Sequence, residues 1–100
     1  NWQEEAVVIE RKIRGYYPWP MAHTLWQGQP LRIGSAAIVN QTKNAAPGTI
    51  LQISREGVDV AASDQIIRVL QLQLPGGKMI SASDFYNAHR EKMKVGEKLG

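Results

Sequence analysis

Two histidines and two nearby aspartates are the residue types in this chain that could perform acid–base chemistry. A general base must lie within hydrogen-bond reach of an acid or a nucleophile, and the sequence places neither beside His23 or His89. Asp59 and Asp64 are five residues apart near a predicted turn, where solvated carboxylates are common. The chain has no cysteine, and its two histidines lack the spacing of zinc ligands. We therefore predict no catalytic residue and no metal site.

The basic residues are better candidates for a function, because lysine and arginine can bind the phosphates of a nucleic acid. Twelve Lys and Arg stand against nine Asp and Glu, and the excess lies mainly in residues 78–100. A charge run is usually only a solvated surface, and basic residues late in the first helix also complement its dipole. His89, beside Arg90, could contact phosphate or serve as a surface or capping residue. The candidates for phosphate contact are Arg11, Lys12, Arg14, Arg32, Lys43, Lys78, Arg90, Lys92 and Lys94.

Residues 2–14 predict an amphipathic helix. Glu4 and Glu5 stand in its first turns and basic residues in its last, an arrangement that complements the helix dipole. Gly15 and the prolines that follow end the helix. Its apolar face has spacings of four, three and four residues and consists of Trp2, Ala6, Ile9 and Ile13.

The segment YYPWP, residues 16–20, is predicted to be extended, since two of its residues precede prolines. Aromatic side chains can stack on bases. The prolines around Trp19 favour instead a packed clamp that holds the helix against the rest of the domain.

The remainder of the chain is predicted to be mainly β, as a small antiparallel barrel or sandwich. A second helix is predicted over residues 82–92, with Ser81 as its N-cap, and the last residues are expected to fray. The five predicted strands are 22–26, 31–39, 49–54, 58–62 and 66–74.

Residues 44–50, NAAPGTI, predict a rigid turn that leads into the third strand. Pro47 and Gly48 are the preferred central pair of a type II turn, because proline fixes φ and glycine accepts a positive φ. Asn44 can bond to nearby backbone at the start of the loop. The N–H groups of the loop could alternatively face a phosphate, although the residues favour the structural role.

Three separated motifs make the chain similar to a known family. NAAPGTI resembles the loop-to-strand signature of the C-terminal domain of methionyl-tRNA formyltransferases. The first helix with YPWP at 17–20 resembles that family's interdomain helix and Pro-Trp-Pro segment. SASDF at 81–85 with HR at 89–90 resembles its closing helix. The motifs occur in the family's order and cover essentially the whole chain.

The resemblance implies an interdomain helix and linker in residues 1–20 and an OB-like C-terminal domain, with flanking helices, in residues 21–100. It implies a parent enzyme that transfers a formyl group from 10-formyltetrahydrofolate, its co-substrate, to initiator methionyl-tRNA for translation initiation. The catalytic residues of the family lie in an N-terminal domain. This chain is therefore expected to be non-catalytic, to hold no cofactor, and to bind tRNA through the basic residues named above.

A second interpretation stays open, in which the chain only packs on the catalytic domain of another folate-dependent formyltransferase and binds no RNA. The net charge of +3 does not separate the two. The chain begins with Asn1, from which we expect a piece of a longer protein whose catalytic domain is its partner. No apolar run of eighteen residues, no leader and no cysteine occur, so we expect a cytoplasmic protein without a membrane partner. We also expect a monomer.

Overall fold

The computed structural model describes residues 1–42 and 44–100, which form an antiparallel sheet and two helices. The elements are α1 (Ala6–Tyr16), β1 (Ala22–Trp26), β2 (Gln29–Val39), β3 (Ile50–Ser54), β4 (Gly57–Ala61), β5 (Ile66–Gln73), β6 (Met79–Ser81) and α2 (Ala82–His89). The sheet has the order β1-β2-β5-β4-β3, and β6 pairs with β5. The prediction of a mainly β chain with a helix at each end is confirmed.

The sheet differs from the predicted barrel in two respects. It has six strands in the described residues, and the strand that the prediction missed is β6, which is too short for alternation to reveal it. Strand β5 is central, because β2 pairs along it on one side while β4 and β6 share the other side. No strand pairing joins β1 to β3 among the described residues, so the sheet is not closed and is barrel-like at most.

Helix α1 begins four residues later than predicted and is capped by a distant residue. All four residues of its predicted apolar face are buried, although Trp2 precedes the first turn. Glu5 is the N-cap, but its side chain makes no capping bond. Asp64, in the turn between β4 and β5, accepts a hydrogen bond from the Ala6 backbone N–H at 2.9 Å. The predicted acidic first turn is therefore wrong, and Asp64 supplies the negative charge there.

Helix α2 packs on the core and is shorter than predicted. Ser81 Oγ accepts a hydrogen bond from the Asp84 backbone N–H at 3.1 Å, as the capping pattern predicts. Phe85 is completely buried in the same hydrophobic cluster as the apolar face of α1. The helix ends at His89 instead of residue 92. Neither α1 nor α2 is long and apolar enough to cross a membrane.

The C-terminal tail, residues 93–100, packs against the sheet, so the expectation of fraying was wrong. Met93 and Leu99 are buried. Leu99 N donates to Gly48 O at 2.8 Å, while Gly100 N donates to Leu25 O at 2.9 Å. The tail thus contacts β1 and the loop that leads into β3, and β1 and β3 are the two ends of the strand order.

One carboxylate in the tail holds it in this position. Glu97 accepts hydrogen bonds from Trp26 Nε1 at 3.1 Å and from its own neighbour Lys94 N at 2.6 Å. Its backbone carbonyl accepts from Ile50 N at 2.8 Å. Trp26 and Ile50 are far from Glu97 in the chain, which is why local sequence did not reveal an ordered tail.

Candidate nucleic-acid interface

The backbone of the NAAPGTI loop forms hydrogen bonds within the fold. Gly48 has φ of +92°, and Thr49 N donates to Ala46 O at 3.1 Å across the turn. Gly48 N donates to Ala61 O at 2.8 Å. Because these two N–H groups already have carbonyl partners, they are not available to a phosphate. Asn44 is exposed, and Lys43 lies outside the described residues.

The candidates for acid–base chemistry lie apart from one another. His23 is exposed on β1, whereas His89 ends α2, with its ring centroid 6.1 Å from that of Phe85 and its Nδ1 buried without a partner. Asp64 caps α1, as described above. Across residues 1–42 and 44–100, no three His, Asp or Glu residues form a group able to hold a metal ion.

Asp59 is not a solvated turn residue, as the sequence suggested, but a buried residue within β4. It pairs with Arg68 on the neighbouring strand β5, with Nε–Oδ1 at 2.8 Å and Nη2–Oδ2 at 3.0 Å. This hydrogen-bonded pairing raises the pKa of Arg68. Both carboxylate oxygens are thereby hydrogen-bonded to the same guanidinium, so the pair has a structural role.

Two basic candidates on α1 are already paired with carboxylates. Lys12 Nζ lies 2.9 Å from both carboxylate oxygens of Glu4, and this contact lowers the pKa of Glu4. Arg14 Nε lies 3.1 Å from Glu10 Oε2, the pair that their spacing favours. Both pairs are exposed and therefore weak, so RNA could displace either carboxylate.

A groove of about 460 Å³ lies between α1 and strands β1 and β2. Lys12 and Tyr16 line its helical side, and His23 lies directly opposite Arg32 on the paired strands. Arg11 is exposed elsewhere on the same helix. The structure therefore brings Lys12 and Arg32 together at one groove, beside a histidine that the sequence analysis had set aside.

The aromatic segment 16–20 does not form the predicted clamp. Trp19 is 84% exposed and Tyr17 is 50% exposed. The helix is held to the sheet instead by its own apolar face and by Trp2, whose Nε1 donates to Thr24 Oγ1 at 2.9 Å. The prediction failed because the prolines shape the backbone of this segment without burying its side chains.

A second basic group lies at α2. The Arg90 guanidinium is 4.9 Å from the ring centroid of Tyr86, and the Arg55 guanidinium is 5.4 Å from the same centroid. Sequence analysis missed Arg55, which comes from the turn between β3 and β4. The spacing of four residues between Tyr86 and Arg90 was the only local signal of this cluster. The other exposed candidates in this part of the chain are Lys78, Lys92 and Lys94.

Comparison with known proteins decides the family. The family model described as the formyl transferase C-terminal domain matches residues 1–90. The chain belongs to this family. It is 41% identical over 97 residues to the methionyl-tRNA formyltransferase of Coxiella burnetii and 43% identical over 89 residues to that of Nitrosococcus oceani. The corresponding protein of Pseudomonas putida is 42% identical over all 100 residues.

The matches cover most of this chain but a minor part of each relative. The match to the Coxiella burnetii protein covers 97% of this chain and 31% of that protein. The Nitrosococcus oceani match covers 89% of this chain and 28% of the relative, and the Pseudomonas putida match covers 100% and 32%. The chain therefore spans about a third of the length of the relatives it matches.

Proposed function

We propose that this chain is the tRNA-holding C-terminal domain of a methionyl-tRNA formyltransferase. The observation that carries the proposal is its similarity along the full 100 residues to a protein of that name. The parent enzyme would transfer a formyl group from 10-formyltetrahydrofolate to the amino group of initiator methionyl-tRNA in the cytoplasm. The formyl transfer would take place in an N-terminal catalytic domain of the same chain, and the parent would act as a monomer.

The exposed cations support an RNA-binding role for this domain. Within residues 1–42 and 44–100, the Lys and Arg side chains that form ion pairs with carboxylates are those of Lys12, Arg14 and Arg68. Other basic candidates, such as Arg32 and Arg90, are exposed with no carboxylate within 4 Å in that part of the chain. They can therefore meet RNA phosphates without first giving up an ion pair.

We propose that residues 1–20 form the interdomain segment and residues 21–100 the OB-like domain. The apolar face of α1 packs on the sheet, so this segment would hold a fixed direction relative to the domain. Trp19, exposed after the helix, favours an additional role as a contact for the catalytic domain. If RNA binding fails, this packing role is what remains, as in a structural module of another folate-dependent formyltransferase.

Titration of tRNA with this chain tests the proposal. If about four phosphates are contacted, log affinity should fall against log salt with a slope of roughly −3 to −4. Affinity would then drop about a hundredfold between 50 and 200 mM salt. Binding should depend little on tRNA identity, because phosphate contacts carry no sequence information.

Arg32→Ala should reduce the slope by about one if this residue contacts phosphate. Lys98→Ala is the matched control, because it removes the same charge from an exposed residue that is not a candidate. Absence of tRNA binding at 50 mM salt would refute the RNA-binding role and leave the packing role. Binding that ignores salt would also contradict it.

A further inference from the structure

Two arginines from distant parts of the chain converge on one aromatic ring. Arg55 lies in the turn between β3 and β4, and Arg90 is the C-cap of α2. Both guanidinium carbons lie within 5.4 Å of the Tyr86 ring centroid. Arg55 Nε also donates to Asn87 Oδ1 at 3.3 Å. Tyr86 thus contacts both cations, and Asn87, its neighbour on α2, contacts Arg55.

This arrangement has an electrostatic cost that the fold does not offset with a carboxylate. Two like charges near one ring repel each other, and the negative face of the ring attracts each of them only moderately. In the described residues, neither guanidinium has a carboxylate within 4 Å. Glu56, the neighbour of Arg55, lies 3.7 Å from Arg68 instead. The cluster therefore concentrates positive charge that an external anion can neutralise.

We propose that Arg55 and Arg90 form a clamp for one phosphodiester group of the RNA backbone. A guanidinium presents planar N–H groups that match phosphate oxygens, and stacking on a ring restricts its orientation. Arg55 uses its Nε for Asn87, which leaves its terminal N–H groups for the ligand. The clamp names one contact of the proposed tRNA interface and so rests on the proposed function.

The helix dipole does not explain the cluster by itself. A cation at the end of α2 is favourable there, which accounts for Arg90. Arg55 comes from a turn between two strands and owes its position to Asn87 and Tyr86. Since two elements contribute to the clamp, its members should act as a unit in binding.

The test measures tRNA affinity and its salt dependence for the variants Arg55→Ala and Arg90→Ala and for the double variant. Each single change should lower affinity by about tenfold at 50 mM salt, the worth of a charge-assisted hydrogen bond. The double variant should lose less than the product of the two single losses, because both act on one phosphate. Its salt slope should fall by about one.

Two further variants separate geometry from charge. Arg55→Lys keeps the charge but loses the planar fork, so it should retain the slope and lose affinity. Tyr86→Phe keeps the ring and should bind tRNA as tightly as the unsubstituted chain does, whereas Tyr86→Leu should lose affinity for tRNA. Thermal melts of all variants establish that each one is folded, and both arginines are exposed, which favours this outcome.

The outcomes distinguish the clamp from the proposed function. One outcome is that the unsubstituted chain binds tRNA while the double variant matches its affinity within twofold and has the same salt slope. In that case the clamp is refuted and the RNA-binding role stands. If Lys98→Ala weakens binding as much as the arginine variants do, general charge is responsible and the clamp is again refuted. If the unsubstituted chain binds no tRNA at 50 mM salt, the proposed function fails, and the clamp fails with it.

Discussion

Gly48→Ala should destabilise the domain by about 3 kcal/mol, because the new methyl group meets both a backbone restriction and a close contact. The φ of +92° at Gly48 costs an alanine about 1–2 kcal/mol. A Cβ built on Gly48 lies 2.6 Å from the Leu99 carbonyl oxygen, which is a backbone atom and can move only if the tail moves. That movement would weaken the Leu99 N to Gly48 O hydrogen bond, worth about 1 kcal/mol, and loosen the buried Leu99. Alanine also restricts the unfolded chain, which offsets about 0.4–1 kcal/mol of the total.

Gly76→Ala is the matched control for this substitution. Gly76 has φ of +76°, but nothing lies within 4 Å of its built Cβ. It therefore carries the backbone penalty alone, and its loss should be about 1 kcal/mol. The difference of about 2 kcal/mol between the variants measures the contact between turn and tail. Urea unfolding followed by circular dichroism gives both values, provided that the m-values agree. Equal losses in the two variants would refute the reasoning, because the tail would then contribute nothing at Gly48.

Two further predictions concern charged residues whose roles the tertiary structure sets. Asp64→Ala should lower the free energy of unfolding by about 1 kcal/mol, because it removes the cap on the Ala6 N–H. Asp64→Asn keeps an acceptor oxygen and should lose less stability. Equal losses in the two variants would exclude the capping role. Arg68→Ala should cost about 3 kcal/mol, because it leaves Asp59 buried without a partner. Asp59→Ala should cost less, since the Arg68 side chain is 28% exposed and can reach water, and urea unfolding that gave the reverse order would contradict this account.

The elements that follow from local patterns were predictable from the sequence. The spacing of Ala6, Ile9 and Ile13 gave the buried face of α1, and Ser81 gave the start of α2. Alternation and turn residues located five strands close to their observed positions. These features depend on residues within a few positions of one another, so the sequence states them directly.

The candidate interface was only partly predictable. The sequence identified Arg90 and Arg32 as exposed cations, since charged side chains seldom lie in a core. It did not indicate that Arg32 on β2 would lie opposite His23 on the adjacent strand β1, or that Arg55 would contact Tyr86. Both juxtapositions depend on strand register and helix docking, which bring distant residues together.

The sequence by itself determined the family, the mainly β character and most of the elements of this protein. Only the tertiary structure decided that Asp64 caps α1, that Asp59 is buried against Arg68, and that the tail packs at Gly48. Each of these contacts joins residues that are remote in the chain or lie on different strands. A polar or charged residue looks the same in the sequence whether it is solvated or paired, because its burial depends on which other segment folds over it.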